Sequence, residues 1–215
     1  MFGGTAEAVS ILVLLSEFAM LRTAMLRSQV RLYAFQSLVV AALAGEIGAT
    51  RGIGELYVLA SLSFVLKVIV IPGVVMRLTR GARVDLGGSS RLGVASMVLI
   101  GIVVAAFGFL VLGSLHVRST TIPTASLGIA TAVVLVSFVI IILRTDVVSQ
   151  AIGFFSLENG VSVAGLVVAA GLPLIVELAF LSDLLVAVVV FGVLMRVHHG
   201  RGGTLSTDLL DRLRG

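Results

Sequence analysis

Seven long apolar stretches separated by short polar turns leave this chain one kind of solvent. They run near residues 4–21, 31–50, 54–76, 92–115, 123–143, 148–170 and 174–195, and none shows strand-like alternation. About 20 consecutive apolar residues are enough to cross a bilayer core as a helix. Charged residues make up 12% of the chain, against roughly 25% in soluble domains, so polar groups are too few to clothe a water-facing surface. In lipid every backbone N–H and C=O needs an internal partner, which leaves helices or a closed barrel. The unbroken runs select helices. The expected fold is an all-α integral membrane protein of about seven transmembrane helices. The first run is short and carries Glu7 and Glu17.

Composition removes several kinds of chemistry. There is no cysteine, so the chain holds no cysteine-bound iron–sulfur cluster and no thiol nucleophile. His116 falls in a loop, and His198 and His199 follow the last run, so an in-membrane haem finds no pair of histidines. The stretch Gly202–Asp208 lacks the lysine and the strand–helix context of a phosphate loop. The net charge of +4 comes from arginines lying between spans, a mark of topology rather than of nucleic-acid binding. The start shows neither a basic leader nor a small-residue cleavage site, so no cleavable signal peptide is expected. No cofactor or metal site, and no catalytic centre, is expected in this chain.

Loop charge predicts the orientation. Arg22, Arg27, Arg31, Arg77, Arg80, Arg83, Arg91, Arg144, Arg196, Arg201, Arg212 and Arg214 fall on one side of a seven-span arrangement. Only Arg51 and Arg118 fall on the other. Basic loops stay cytoplasmic, which places the N-terminus outside and the C-terminus inside.

Shifting the chain against itself suggests an internal repeat. Leu21-Arg22-Thr23 lands on Leu143-Arg144-Thr145, Gln36 on Glu158, Glu55-Leu56 on Glu177-Leu178 and Ser61 on Asp183. Four spans separate equivalent positions, so the copies point the same way through the membrane, as two parallel three-helix repeats. The expected organisation is a first repeat over 1–91, a connector helix and loop over 92–122, a second repeat over 123–200 and a cytoplasmic tail over 201–215.

Ionisable residues inside spans cost about 2.5–3.5 kcal/mol each at a helix centre on insertion scales. Helix formation does not call for them. Glu158, Asp183 and Lys67 lie within predicted spans six, seven and three. Glu158 and Asp183 each stand roughly 13–15 Å from a helix end at 1.5 Å per residue, in the middle third of the bilayer. Burial favours the neutral form of such a group and an opposite charge favours the ionised form, so a mobile pair exchanges protons. The bland alternative is a buried ion pair or hydrogen bond that only locks helices together. Gln36 and Asn159 are expected to hydrogen-bond between helices. Glu55 and Glu177, near the outer ends, are expected to be solvated accessory groups. Gly153, Gly160 and Gly165, with Ala164, would let span six approach its neighbours. Pro72 would perturb span three beside Lys67.

These residues also carry a resemblance. Gly153-Phe-Phe-Ser-Leu-Glu158-Asn159-Gly160 and Leu181-Ser182-Asp183-Leu184-Leu185 resemble the second and third helices of the K subunit of respiratory complex I, with aspartate at position 183 in place of that family's glutamate. The tail Gly203-Thr204-Leu205-Ser206-Thr207-Asp208 looks like that subunit's end. Over most of its length the chain resembles the hydrogenase-4 component E family, on Leu32-Tyr33-Ala34-Phe35-Gln36-Ser37-Leu38-Val39, Phe64-Val65-Leu66-Lys67-Val68, Leu157-Glu158-Asn159-Gly160 and Gly203-Thr204-Leu205. The resemblance implies a non-redox subunit of a complex I-like, energy-converting hydrogenase or formate hydrogenlyase-type complex in a bacterial or archaeal cytoplasmic (inner) membrane. It implies proton translocation coupled to electron transfer. Antiporter-like and H-subunit-like membrane subunits would be its partners, with nickel–iron and iron–sulfur centres held in other chains. A subunit of a multi-subunit cation/proton antiporter and a purely structural adaptor are the alternatives.

Overall fold

The computed structural model describes residues 2–79, 90–113 and 125–168, and Gly192 beyond them. The described residues form six helical runs: α1 (Phe2–Arg22), α2 (Leu26–Arg51), a continuous run made of α3 (Gly54–Ser63), a π-helical segment (Phe64–Val70) and α4 (Ile71–Thr79), then α5 (Val94–Gly113), α6 (Ala125–Leu143) and α7 (Val147–Val168). Five are long and apolar enough to cross a membrane: Leu26–Arg51, Gly54–Arg77, Val94–Leu112, Ala125–Leu143 and Val147–Val168. Where they are described, the first six apolar stretches lie in helices but for residues 92 and 93. The seventh, with Glu177 and Asp183, lies outside the described residues apart from Gly192.

Local chemistry explains the breaks. Gly52 ends α2 with φ 66°, and its N–H donates to the Gly48 carbonyl; a left-handed closing residue is the conformation glycine adopts without cost. Asp146 opens α7 by accepting from the Ser149 N–H at 2.7 Å, which satisfies one of the free donors of the first turn. In the third run the chain widens to a π-helix immediately before Pro72. The Ile71 N–H reaches back to the Leu66 carbonyl, five residues away. Proline has no N–H to give the Val68 carbonyl and its ring crowds that oxygen, so the α-helical ladder could not have continued unchanged.

Helices α1, α2, α6 and α7 form the interior of the bundle. Their cross-helix pairs keep a nearly constant separation in number: Gln29–Ser149, Gln36–Ser156 and Ser37–Asn159 between α2 and α7, and Glu17–Ser137 between α1 and α6, all 120–122 residues apart. Partners that advance together along both helices mean that α2 runs parallel to α7. The sequential neighbours α6 and α7 pack closely. A β-carbon on Gly153 would meet Ile140 at 3.0 Å, and one on Gly160 would meet Val134 at 2.9 Å. Gly165, expected to serve the same approach, faces open space. Helix α5 lies outermost, with Leu99, Val103, Phe107 and Leu110 exposed.

Three basic turns converge on one end. Arg144, in the α6–α7 turn, donates from Nη2 to the carbonyls of Leu21 and Thr23 at 2.8 and 2.7 Å. The Arg91 N–H donates to the Leu143 carbonyl at 3.0 Å. Arg22, Arg27, Arg31, Arg77 and Arg91 are exposed, whereas Arg144 is buried. Arg144, read from the sequence as one more loop charge, is a structural cap on the C-terminal carbonyls of α1, where a cation is also favoured by the helix dipole.

Candidate functional site: a buried polar array across five helical runs

Helix α7 carries polar groups on two adjoining faces. Ser149, Ser156 and Asn159 turn toward α2, while Glu158 and Ser162, four residues apart, turn toward the π-helical segment; spacings of three, four and seven share a helix face. Helix α2 answers with Gln29, Tyr33, Gln36 and Ser37, all buried and also at helical spacing.

The first part of the array is an ion pair. Lys67 Nζ lies 2.8 Å from Glu158 Oε1, with 1% and 7% of the two side chains exposed. Lys67 also donates to Ser162 Oγ at 3.4 Å. Glu158 is 11 residues into α7, about 16 Å from its start, in a hydrocarbon core about 30 Å thick. Two charges at that depth are tolerated because each neutralises the other. The sequence singled out both residues but did not pair them. The π-helical segment that presents Lys67 brings the pair together. The Tyr33 ring packs at 5.7 Å and 45° against that of Phe155, and its side chain is close enough to Glu158 for electrostatic interaction. Tyr33 also lies within side-chain reach of Ser37, one turn further along α2.

The second part centres on Glu17, which is fully buried. Its carboxyl group accepts from Ser137 of α6 at 2.9 Å and from Gln36 Nε2 of α2 at 2.8 Å, and lies in close hydrogen-bond contact with Ser156 of α7. Gln36 spends all four of its hydrogen-bonding positions. Its Nε2 donates to Glu17 and to the Val13 carbonyl at 3.3 Å, and its Oε1 accepts from Ser156 at 2.8 Å and Asn159 at 3.0 Å. Asn159 Nδ2 also donates to Ser37 Oγ at 2.9 Å. Glu158 and Asn159, adjacent in the chain, thus join the ion pair to the Glu17 network.

Gln36 and Asn159 bridge helices as expected. Glu55 is exposed at the start of α3 and, among the described residues, takes no part in the array. Glu17, Ser137 and Ser156 were not singled out in the sequence. An acid in an apolar run was the signal that marked Glu158, and it applied equally to Glu17. Among the described residues no group of histidine, aspartate or glutamate is arranged to hold a metal ion.

The electrostatics at the basic end follow from burial. Burial pushes the Asp146 carboxyl above its usual range, against the Ser149 hydrogen bonds and the Arg144 charge, which pull it down. Burial likewise lowers the Arg144 guanidinium, and Asp146 works the other way.

Comparison with known proteins finds likeness along most of the chain. It is 24% identical over 183 residues to hydrogenase-4 component E of Escherichia coli and, to the same extent, of Shigella flexneri, covering 85% of this chain and 85% of each relative. It is 42% identical over 85 residues to an uncharacterized protein of Mycobacterium tuberculosis, 40% of this chain; the match spans about two-fifths of that relative's length, 39%. No protein-family model and no solved structure matches the chain. The likeness to hydrogenase-4 component E, distant but covering 85% of the chain, supports the resemblance to that family.

Proposed function

We propose that this chain is a non-redox membrane subunit of a complex I-like, energy-converting hydrogenase complex, where it contributes to proton translocation coupled to electron transfer in partner chains. The observation that carries the reading is the Lys67–Glu158 pair, at 2.8 Å and buried at mid-membrane depth. While the two side chains touch, the ammonium and carboxylate forms stabilise each other. When they part in a low dielectric each charge loses its partner, so Glu158 takes up a proton and Lys67 gives one up. A π-helical segment is a fitting mount for a group that must shift, since such turns recur at functional sites. Asp183 would continue the path on the seventh span, and the N-terminus would lie outside with the converged arginines in the cytoplasm.

Two further features support the reading. The separation of the α2–α7 and α1–α6 pairs, 120–122 residues, stays within two residues of the register in which the sequence aligns with itself, and so supports the parallel repeat. The likeness to hydrogenase-4 component E supports a place beside antiporter-like and H-subunit-like membrane subunits, with nickel–iron and iron–sulfur centres in other chains.

The experiment is purification in mild detergent with identification of the accompanying chains, followed by Glu158→Gln assayed for proton-coupled turnover per assembled complex. Glutamine keeps nearly the same shape and can still hydrogen-bond, but it cannot carry the proton. Assembly with hydrogenase-type subunits and reduced turnover is the expected result. Antiporter subunits alone would transfer the chain to a different machine. Parental turnover with the parental pH profile would reduce Glu158 to a packing residue.

A further inference from the structure

The relay through Glu158 leaves the most deeply enclosed carboxyl group of the described residues unused. Glu17 is 0% exposed, and a permanently charged carboxylate has no cation against it. The elements packed around it present only neutral groups to it: Gln36 from α2, Ser137 from α6 and Ser156 from α7. The charged and titratable groups nearby in the bundle are Lys67, Glu158 and Tyr33 in the adjoining part of the array, and Arg144 and Asp146 at the basic turn. Among the described residues none of them places a charge on Glu17.

We propose that Glu17 is a proton-binding site of this chain, built so that the surrounding network is fully satisfied in both states of its carboxyl group. The argument is a count of hydrogens. With Glu17 ionised, Oε1 accepts from Ser137, Oε2 accepts from Gln36 Nε2 and from the Ser156 hydroxyl, and Asn159 alone serves Gln36 Oε1. With Glu17 protonated on Oε2, the new O–H donates to Ser156 Oγ. The Ser156 hydroxyl hydrogen then swings to Gln36 Oε1, 2.8 Å from its oxygen. Oε2 still accepts from Gln36 Nε2. A hydroxyl has one donor and two lone pairs and rotates freely, so Ser156 is the one group that must change, and no heavy atom needs to move. The proton is bound at Glu17 Oε2 and leaves from there; no other bond is made or broken. Gln36 favours a proton over a metal cation here, because its N–H donor occupies the face of Oε2 that a cation would take. Glu17 would therefore store a proton in the four-helix interior whether or not Glu158 relays one.

The test is infrared spectroscopy of the detergent-purified protein, with its accompanying chains, in parent-minus-variant difference spectra across the tolerated pH range. The expected result is a titrating protonated-carboxyl C=O band that moves on 13C-labelling of glutamate. Glu17→Gln should remove it and Glu158→Gln should leave it in place. Ser156→Ala keeps the carboxyl but removes the hydroxyl that serves both states, and should change the band's frequency and the pH of its midpoint. This variant decides the matter if Glu17→Gln does not fold. A band absent from the parent, or unmoved by Ser156→Ala, would overturn the proposal. A midpoint that moves with sodium concentration at constant ionic strength would overturn it too, in favour of a competing cation. Failure of the relay reading would show only in Glu158→Gln turnover, so the two ideas fail separately.

Discussion

Arg144 reaches from the turn between α6 and α7 to the Leu21 carbonyl, 2.8 Å away at the end of α1. One side chain thereby ties together helices more than a hundred residues apart. Hydrogen bonds from charged donors contribute about 1.5–3 kcal/mol each, so Arg144→Ala should lower stability by roughly that amount or more, read as a fall in melting temperature in detergent. Arg144→Lys should recover only part of it, because a point charge does not reproduce a planar guanidinium spanning two carbonyls. An unchanged melting temperature in both variants would mean that the cap is not made.

Lys67 and Glu158 should behave as a coupled pair. Lys67→Met and Glu158→Gln each lower thermal stability, and the double variant should lose less than the sum, with a coupling of about 0.5–3 kcal/mol. Strict additivity would show that the two groups do not meet in the folded protein.

Asp146 gives a pH prediction with a definite sign. Its carboxyl is raised above the ordinary aspartate value of 3.8 in the folded state, so the folded protein holds a proton that the unfolded chain has released. Its contribution to stability is therefore fully present below the unfolded value and is lost as pH rises through the folded one. Asparagine keeps the helix cap but does not titrate. Melting temperature measured across the acidic range should fall less with rising pH in Asp146→Asn than in the parent. A steeper fall in the variant would reverse the assignment.

Two glycines of α7 should part company. At Gly160 an added methyl would meet Val134 Cγ2 at 2.9 Å and the Val134 backbone nitrogen at 3.1 Å, and backbone cannot step aside. Gly160→Ala should cost about 1–3 kcal/mol, the usual range for overpacking. Gly165, with nothing within 4 Å, should accept alanine without loss. Circular dichroism melts of the two variants settle the contrast.

The five spans among the described residues could be read from hydrophobicity alone, because lipid imposes helix on any long apolar run. Glu158, Lys67, Gln36 and Asn159 could be read because a polar group costs most where nothing local requires it. Which groups meet could not, since pairing depends on how α2, α7 and the third run pack, and on a π-helical turn that Pro72 alone did not specify. Glu17 is hard to read because a charge in a short first run equally marks a weak span, and its partners come from three other helices. Ser137 and Ser156 gave no signal, because a serine in a membrane helix is commonplace and often bonds its own backbone. Arg144 is in sequence one loop arginine among many, because its carbonyl partners, Leu21 and Thr23, lie more than a hundred residues away.

The convergence of the basic turns has a mechanical consequence. At that end Arg144 grips Leu21 and Thr23, Gln29 bonds Thr23 and Ser149, Gln150 bonds the Arg144 carbonyl, and Arg91 bonds Leu143. These are directional bonds that tolerate little sliding. Toward the opposite end, Leu43, Ile47, Leu56, Leu59 and Leu166 form an apolar cluster, held by contacts without preferred direction. The bundle is built like a clothes-peg, sprung at the arginine end. A force on the bundle meets directional bonds at the arginine end and contacts without preferred direction at the other, so the far ends give before the near ones slip.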